Sequence, residues 1–140
     1  MTGETDLQLL LATMQPVLHE QPYVFCSIGQ AVYAALPFTP LGMFREQEGF
    51  TVIVSVPQAV EHGLAFDTTW ACITLTVHSS LLAVGFLAAI AGAFAQAGIS
   101  LNAVSAYYHD HLFVPWAQRE QALDVIKAMS REAWAISPKQ

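Results

Sequence analysis

The chain has 140 residues, enough for one domain or for two small domains that each bury a core. Hydrophobic residues make up 54% of the sequence and charged residues only 11%, so we expect some apolar surface to be covered by a partner or by another part of the chain. The net charge is −6 with only five Lys and Arg residues, which argues against nucleic acid and anionic membrane surfaces as partners, because both attract clustered cations.

Segments that would place the chain in or across a membrane are not expected. The longest apolar run, residues 81–95, is too short to span a bilayer. The amino terminus carries Glu4 and Asp6 and has no positive segment of the kind that begins a secretory signal. Cys26 and Cys72 have neither metal-type spacing nor a disulfide framework. We therefore expect a cytoplasmic protein with reduced thiols.

The first predicted element is a helix. Thr5 and Gln8 have the spacing of a capping box, and the apolar residues that follow recur at helical intervals until Pro16. The rest of the first half is predicted as a strand at 23–28, mostly loop at 29–49 with room for a short strand at 31–36, a strand at 50–56, and a short helix at 58–62 that Gly63 ends.

The second half begins with a strand at 71–78, in which Ala71, Ile73, Leu75 and Val77 share one face. The elements predicted after it are a helix at 82–97 with Gly98 as a left-handed cap, strands at 100–109 and 111–116 separated by Asp110, a helix at 118–131 and a final strand at 134–136. This order is βαββαβ. It predicts an α+β fold of two ferredoxin-like subdomains, an abbreviated one at 1–67 and a complete one at 68–140.

Three strings in the second half resemble the ACT-domain superfamily: ITLTVHSS, VGFLAAIAGAFAQAGISLN and YYHDHLFVP. Together they cover nearly all of residues 70–117. The chain is most similar to small stand-alone proteins with two ACT-like halves, of which the first is abbreviated. The resemblance implies a non-enzymatic regulatory or sensor protein that binds a small molecule, with an amino acid as the expected ligand.

The resemblance also implies a ligand site at the start of the second-half helix. Gly85 matches the family glycine that lets a ligand approach the backbone, although the family's common Asp-Arg-Pro-Gly turn is replaced here by a longer turn, SSLLAVG. The amides that follow would meet the ligand carboxylate, and acceptors for its ammonium would come across an interface. The expected ligand-binding residues are His78, Ser79, Val84, Gly85, Phe86, Leu87, Ser100 and Asn102.

Gly85 also allows a test. Leucine tolerates helical backbone angles, so we expect Gly85→Leu to abolish binding with only a modest loss of stability. If binding persisted, the hairpin around Tyr108 and His111 would be the next candidate site.

The 82–97 helix further predicts how the protein assembles. Its bulky residues are arranged to reach a core: Val84, Leu87, Ile90 and Phe94. Its small residues leave a smooth face that few charges solvate: Ala88, Ala89, Gly92 and Ala95. We expect this face to be covered, either by the other subdomain or by a second subunit in a homodimer.

Two other function classes remain open from the residues alone. One is an interaction module that has lost its ligand and serves only to oligomerise. The other is a metal-binding protein, in which His109 and His111 would act with Asp110 and His78. Cys26 is interpreted as a packed hydrophobe rather than a nucleophile. No phosphate-binding loop, catalytic carboxylate pair or cofactor motif is found, so no enzymatic activity and no cofactor are expected.

Overall fold

The protein is described by a computed structural model that covers residues 6–77 and 83–136. The helices are α1 Leu7–Thr13, α2 Gln30–Ala34, α3 Val56–Glu61, α4 Phe86–Gln96 and α5 Arg119–Ile136, with a 3-10 turn at Trp116–Gln118. The strands are β1 Pro16–Leu18, β2 Tyr23–Ile28, β3 Gly42–Arg45, β4 Phe50–Ser55, β5 Trp70–Leu75, β6 Asn102–Ser105 and β7 Asp110–Pro115. This mixed α+β order with antiparallel pairing confirms the predicted fold class.

The chain forms two compact units. One, the continuous unit, is Glu20–Trp70, and the other, the split unit, combines Met1–His19 with Ala71–Gln140. This division differs from the boundary expected between residues 67 and 68, because α1 and β1 lie in the split unit. In β1, Pro16 pairs with Leu75 and Leu18 pairs with Ile73, so β1 is bound to β5 far along the chain.

The continuous unit is a three-stranded antiparallel sheet in the order β3-β4-β2. Its core consists of Val24, Cys26, Val52, Val54, Ala59 and Leu64. The predicted short helix is confirmed as α3. The Ser55 hydroxyl accepts a hydrogen bond from the Gln58 amide and the Gln58 side chain accepts from the Ser55 amide, which is a complete capping box.

Two predictions in the continuous unit are wrong. The short strand expected at 31–36 is the helix α2, and β3 lies in a segment expected to be loop. In α2 the Tyr33 ring stacks on Phe50 at 4.6 Å between ring centroids, a contact that the local sequence could not show. In β3 every residue pairs with β4, so long-range hydrogen bonding outweighs the loop-forming glycine and prolines nearby.

The split unit is a sheet in the order β1-β5-β7-β6 with its helices on one face. The predicted alternation in β5 is confirmed for Ala71, Ile73 and Leu75, which point toward the helices. The buried residues of this core are Leu10, Met14, Ala71, Ile73, Leu75, Phe86, Ile90, Phe94, Ile99, Leu112, Val114, Ala122 and Ile126. Helices from both ends of the chain therefore cover the same sheet.

The final strand expected at 134–136 is wrong, because α5 continues through Ile136. No glycine or proline interrupts Arg119–Ile136, and Ala122, Ile126 and Ala133 are buried along one face of the helix. The place beside β5 that a closing strand of a βαββαβ unit takes is filled by β1 instead. The split unit is thus a complete ferredoxin-like unit whose closing strand comes from the amino-terminal end of the chain.

Candidate functional site

The start of α4 has the backbone features predicted for a ligand site. Gly85 is the N-cap residue and has a left-handed backbone with φ of 86°. Because glycine has no side chain, it gives the first turn no side-chain cap. The Ala89 amide donates to the Gly85 carbonyl at 2.9 Å, so α4 is regular from its first hydrogen bond. The backbone N–H groups of a helix's first turn have no partner within the helix, and Gly85 offers them no side chain.

The other residues predicted beside Gly85 divide into two groups. His78 and Ser79 lie outside the described residues. Val84 is 83% exposed, whereas the Phe86 side chain is buried and Leu87 packs against the same core. Phe86 can therefore offer a ligand only its backbone N–H group. The expectation that the Val84 side chain reaches the core is wrong.

Ser100 and Asn102 are not brought to this place within one chain. Both follow the carboxyl-terminal end of α4, and both are exposed. An eleven-residue helix such as α4 is about 16 Å long, so Gly85 and Ser100 lie at opposite ends of it. Any site that includes all of these residues needs two copies of the chain.

The left-handed conformation corrects the expectation for Gly85→Leu. A side chain at a φ of 86° is strained regardless of the space around it, and leucine would carry that strain into the N-cap. The nearest atom to an added Cβ is Leu7 Cδ2 at 3.6 Å, an ordinary contact, so the cost comes from the backbone. Loss of binding in Gly85→Leu would therefore be accompanied by loss of stability and would not locate the site.

A second polar group lies on the opposite face of the split unit's sheet. Thr74 Oγ1 is 2.8 Å from His19 Nε2 and 2.9 Å from His111 Nδ1. One hydroxyl thus lies between two imidazoles, one just after β1 and the other in β7. The hydroxyl has a single proton, so it can donate to only one ring and must accept from the other. Sequence reasoning missed this group because β1, which positions His19, was not predicted.

The two imidazoles of this group favour their neutral forms. Burial lowers the pKa of His19. Burial is also the main cause that lowers the pKa of His111, with smaller contributions from repulsion by His109 and His19, while Asp110 acts in the opposite direction. The adjacent Cys72 is buried, which raises the pKa of its thiol to about 11 despite a hydrogen bond with Thr74. A thiolate nucleophile is therefore not available there at neutral pH.

We expect these histidines to make the protein acid-sensitive. A histidine whose folded-state pKa lies below its ordinary value of 6.5 contributes stability that is complete above pH 6.5 and is lost as the pH falls through the folded-state pKa. The free energy of unfolding should therefore decrease between about pH 7 and pH 5. Urea titrations at several pH values measure this, and His111→Gln should flatten the decrease. An unchanged slope in His111→Gln would assign the acid sensitivity to other groups.

Among the described residues, His109 and His111 do not come together with a third metal ligand. Asp110 does not lie in the turn; it begins β7, is 6% exposed, and accepts a hydrogen bond from the Ser105 hydroxyl. His109 lies before the strand, with Nδ1 3.5 Å from the Val77 carbonyl oxygen. Within residues 6–77 and 83–136, no three His, Cys, Asp or Glu side chains are grouped as metal ligands.

Family profiles match both parts of the chain. Residues 2–71 match one profile described as an ACT domain, and residues 65–128 match a second profile with the same description. The chain belongs to the ACT-domain family. This confirms the resemblance found in the sequence and its tandem arrangement. ACT domains are regulatory modules, so the membership supports a regulatory, ligand-binding role in general terms.

Several solved structures share the fold of this chain. A Vibrio cholerae protein of unknown function, described as a possible transport protein, is 40% identical and aligns with a TM-score of 0.77 over 92% of this chain and 99% of that one. The ligand-free regulatory subunit of aspartate kinase from Thermus thermophilus is 13% identical, with a TM-score of 0.67 over 85% of this chain and 97% of that one. An Agrobacterium tumefaciens protein is 15% identical, with a TM-score of 0.68 over 84% and 89% of the two chains. No curated protein sequence matches the chain.

Two further predictions concern Cys26 and membrane-spanning helices. Cys26 is buried in the core of the continuous unit, where burial raises the pKa of its thiol, and this agrees with its interpretation as a packed hydrophobe. None of the helices in the described ranges has the length and apolarity that crossing a membrane requires.

Proposed function

We propose that this ACT protein is a non-enzymatic regulatory protein that binds an amino acid at the start of α4. The observation that carries the proposal is the left-handed Gly85 N-cap, which leaves the first-turn amides without a side-chain cap. A carboxylate is favoured there by the unpaired N–H groups and by the positive end of the helix dipole. Membership in a family of regulatory domains supports the same role.

The rest of the ligand must be held by groups from elsewhere. An amino acid also carries an ammonium, which needs hydrogen-bond acceptors. Ser100 and Asn102 are exposed and lie at the far end of α4, so they fit this role only when a second copy presents them. The proposal therefore includes a homodimer in which each site is shared between two chains. His78 and Ser79 remain proposed contacts in the turn before the helix.

A screen of the common amino acids by thermal shift tests the function. A ligand that binds only the folded protein raises the melting temperature with increasing concentration. Calorimetry on any hit then gives the affinity and the number of sites per dimer. Finding no shift with any amino acid, in protein shown to be folded, would contradict the proposed ligand class.

We expect Ala88→Glu to separate binding from folding. Ala88 is exposed and is the third residue of α4, where a carboxylate interacts favourably with the helix dipole and leaves the fold intact. The same charge would repel the ligand carboxylate from the first-turn amides, so we expect affinity to fall by about tenfold or more. Ala88→Gln, nearly the same size but neutral, is the matched control. Light scattering should first show that both variants keep the wild-type oligomeric state. Equal loss of affinity in two such variants, measured by calorimetry, would mean that the carboxylate binds elsewhere.

The second candidate function is an interaction module without a ligand. The exposed small residues of α4, Ala88, Gly92 and Ala95, favour it, because they allow another helix to approach closely. Light scattering distinguishes the two functions when combined with the amino-acid screen. A stable dimer that binds no amino acid would support the interaction module, and a dimer that binds one would support the sensor.

A further inference from the structure

A cleft in the split unit lies away from α4 and belongs to neither proposal. It has a volume of about 420 Å³ and is bounded on one side by the end of α1 and the start of β1, Ala12–Pro16. The other side is one face of α5, formed by Lys127, Ser130, Arg131 and Trp134 at spacings of three, four and seven residues. This volume is in the range of small-molecule sites.

The charges around the cleft are unusual for this chain. Two of its five Lys and Arg residues, Lys127 and Arg131, line the cleft, although the net charge of the protein is −6. Within residues 6–77 and 83–136, no carboxylate lines the cleft and neither cation forms an ion pair. Both side chains are exposed, one helical turn apart on the same face. They therefore form a local positive region on an acidic protein.

Apart from the Gln15 side-chain amide, which both donates and accepts, the side-chain polar groups that line the cleft are mainly donors. The Ser130 hydroxyl donates to the Ala12 carbonyl at 2.9 Å, and the Gln15 carbonyl accepts from the Thr76 amide and hydroxyl. Lysine, arginine and the indole N–H of tryptophan can only donate. Among the described residues, the cleft thus offers the donors of Lys127 and Arg131 to an anion and no carboxylate to an ammonium group.

The lining of the cleft also includes apolar side chains. Met14 is 2% exposed at the base of the α1 side, beside Ala12 and Pro16, and Trp134 is 48% exposed on α5. A half-exposed indole next to two cations presents a flat surface on which a planar or aliphatic group can pack. The surroundings therefore suit a ligand with an apolar body and one anionic end.

We propose that this cleft binds a small organic carboxylate that has an apolar, preferably aromatic, body and no ammonium group. Arg131 and Lys127 hold the carboxylate, since the guanidinium can donate two parallel hydrogen bonds to it. Trp134 on one side and Ala12 and Pro16 on the other contact the body of the ligand. The site is distinct from the proposed amino-acid site, because a zwitterion would bring an ammonium to a cleft that already holds two cations.

Three probes of nearly equal size test this on the full chain: 3-phenylpropionate, L-phenylalanine, which adds an ammonium, and 3-phenylpropanamide, which lacks the charge. The readout is the set of backbone and indole N–H signals in two-dimensional NMR, with the Trp134 indole assigned through Trp134→Phe. We expect 3-phenylpropionate to shift the Trp134 indole and α5 amides saturably, and the other two probes to bind about tenfold more weakly or worse. In the wild-type protein, raising the salt from about 20 to 300 mM should weaken binding of 3-phenylpropionate.

Charge-neutralising variants assign the residues. Arg131→Gln should weaken binding of 3-phenylpropionate by about tenfold, because it removes a charged hydrogen-bond partner. Arg45→Gln makes the same charge change on an exposed strand of the continuous unit and should leave the affinity within about twofold. The proposal is overturned if no probe gives saturable shifts at α5, if 3-phenylpropanamide or L-phenylalanine binds as tightly as 3-phenylpropionate, or if the two variants lose affinity equally. Loss of amino-acid binding at α4 would leave these results unaffected, so the two proposals fail separately.

Discussion

Residues 71–140 should not fold when separated from residues 1–19. Leu10 of α1 and Met14 are buried in the core of the split unit, and Leu7, Leu11 and Leu18 pack against it. Full burial of one such side chain contributes about 1.5–3 kcal/mol. Loss of the two buried side chains alone removes about 3–6 kcal/mol, a large part of the 5–15 kcal/mol that stabilises a typical domain. Loss of β1 would also leave one edge of β5 unpaired at Ile73–Leu75.

A circular permutant provides the matched control for this deletion. The Gln8 side-chain amide donates to the Ala133 carbonyl at 3.3 Å, which places the start of α1 beside the end of α5. A short flexible linker can therefore join residue 136 to residue 6 and supply α1 and β1 after α5. We expect the fragment 71–140 to show no cooperative unfolding transition and the permutant, 71–136 followed by 6–19, to regain one in urea titrations followed by circular dichroism.

The outcome decides which division of the chain is correct. If the fragment 71–140 unfolded cooperatively with the same midpoint as the permutant, the boundary expected between residues 67 and 68 would describe an independent subdomain. In that case the contacts of Leu10 and Met14 would be accessory. The reverse outcome would mean that the ACT unit at the carboxyl-terminal end depends on a strand that precedes the other unit in sequence.

The sequence predicts elements whose signals are local. The alternation in β5, the capping box of α3 and the left-handed Gly98, with φ of 74°, are all determined by neighbouring residues, and each is confirmed. By contrast, β1 has only three residues and includes a proline, so nothing in Pro16–Leu18 itself indicates a strand. It forms because β5, more than fifty residues later, presents an unpaired edge. The mistaken strand at 134–136 has the same origin, since the expected order required a fourth strand.

For the candidate site, the sequence identified the glycine but not its backbone conformation. The resemblance identified Gly85 from its string, and the structure adds that this glycine is left-handed at an N-cap rather than helical. The helix expected at 82–97 and the strand expected at 100–109 were both predicted too long, since α4 begins at Phe86 and β6 ends at Ser105. Small and aromatic residues continue the apolar pattern past the true ends of both elements. Tyr107 and Tyr108 consequently lie in the turn between β6 and β7, with ring centroids 4.9 Å apart.

Phe94→Ala should have the largest effect of any single substitution in α4. Phe86, Ile90 and Phe94 recur every four residues on the buried face of the helix, and Phe94 is 0% exposed. Truncation of a buried phenylalanine leaves a cavity and costs about 3–5 kcal/mol. The free energy of unfolding from urea titration measures the loss, and the m-value should stay constant if the rest of the fold is retained.

Gly92→Ala on the opposite face of the same helix should act in the other direction. Gly92 is exposed, an added Cβ would meet nothing within 4 Å, and its φ lies outside the left-handed range. Alanine in a helix interior is favoured over glycine by about 0.5–1 kcal/mol, so the free energy of unfolding should rise. If Gly92→Ala lowered stability at high protein concentration but raised it at low concentration, the small-residue face would be in contact with a second chain, because only an interface would leave no room for the methyl group. The pair of substitutions therefore tests both faces of α4 in one experiment: a large loss in Phe94→Ala locates the core, and the concentration dependence of Gly92→Ala tests the proposed homodimer.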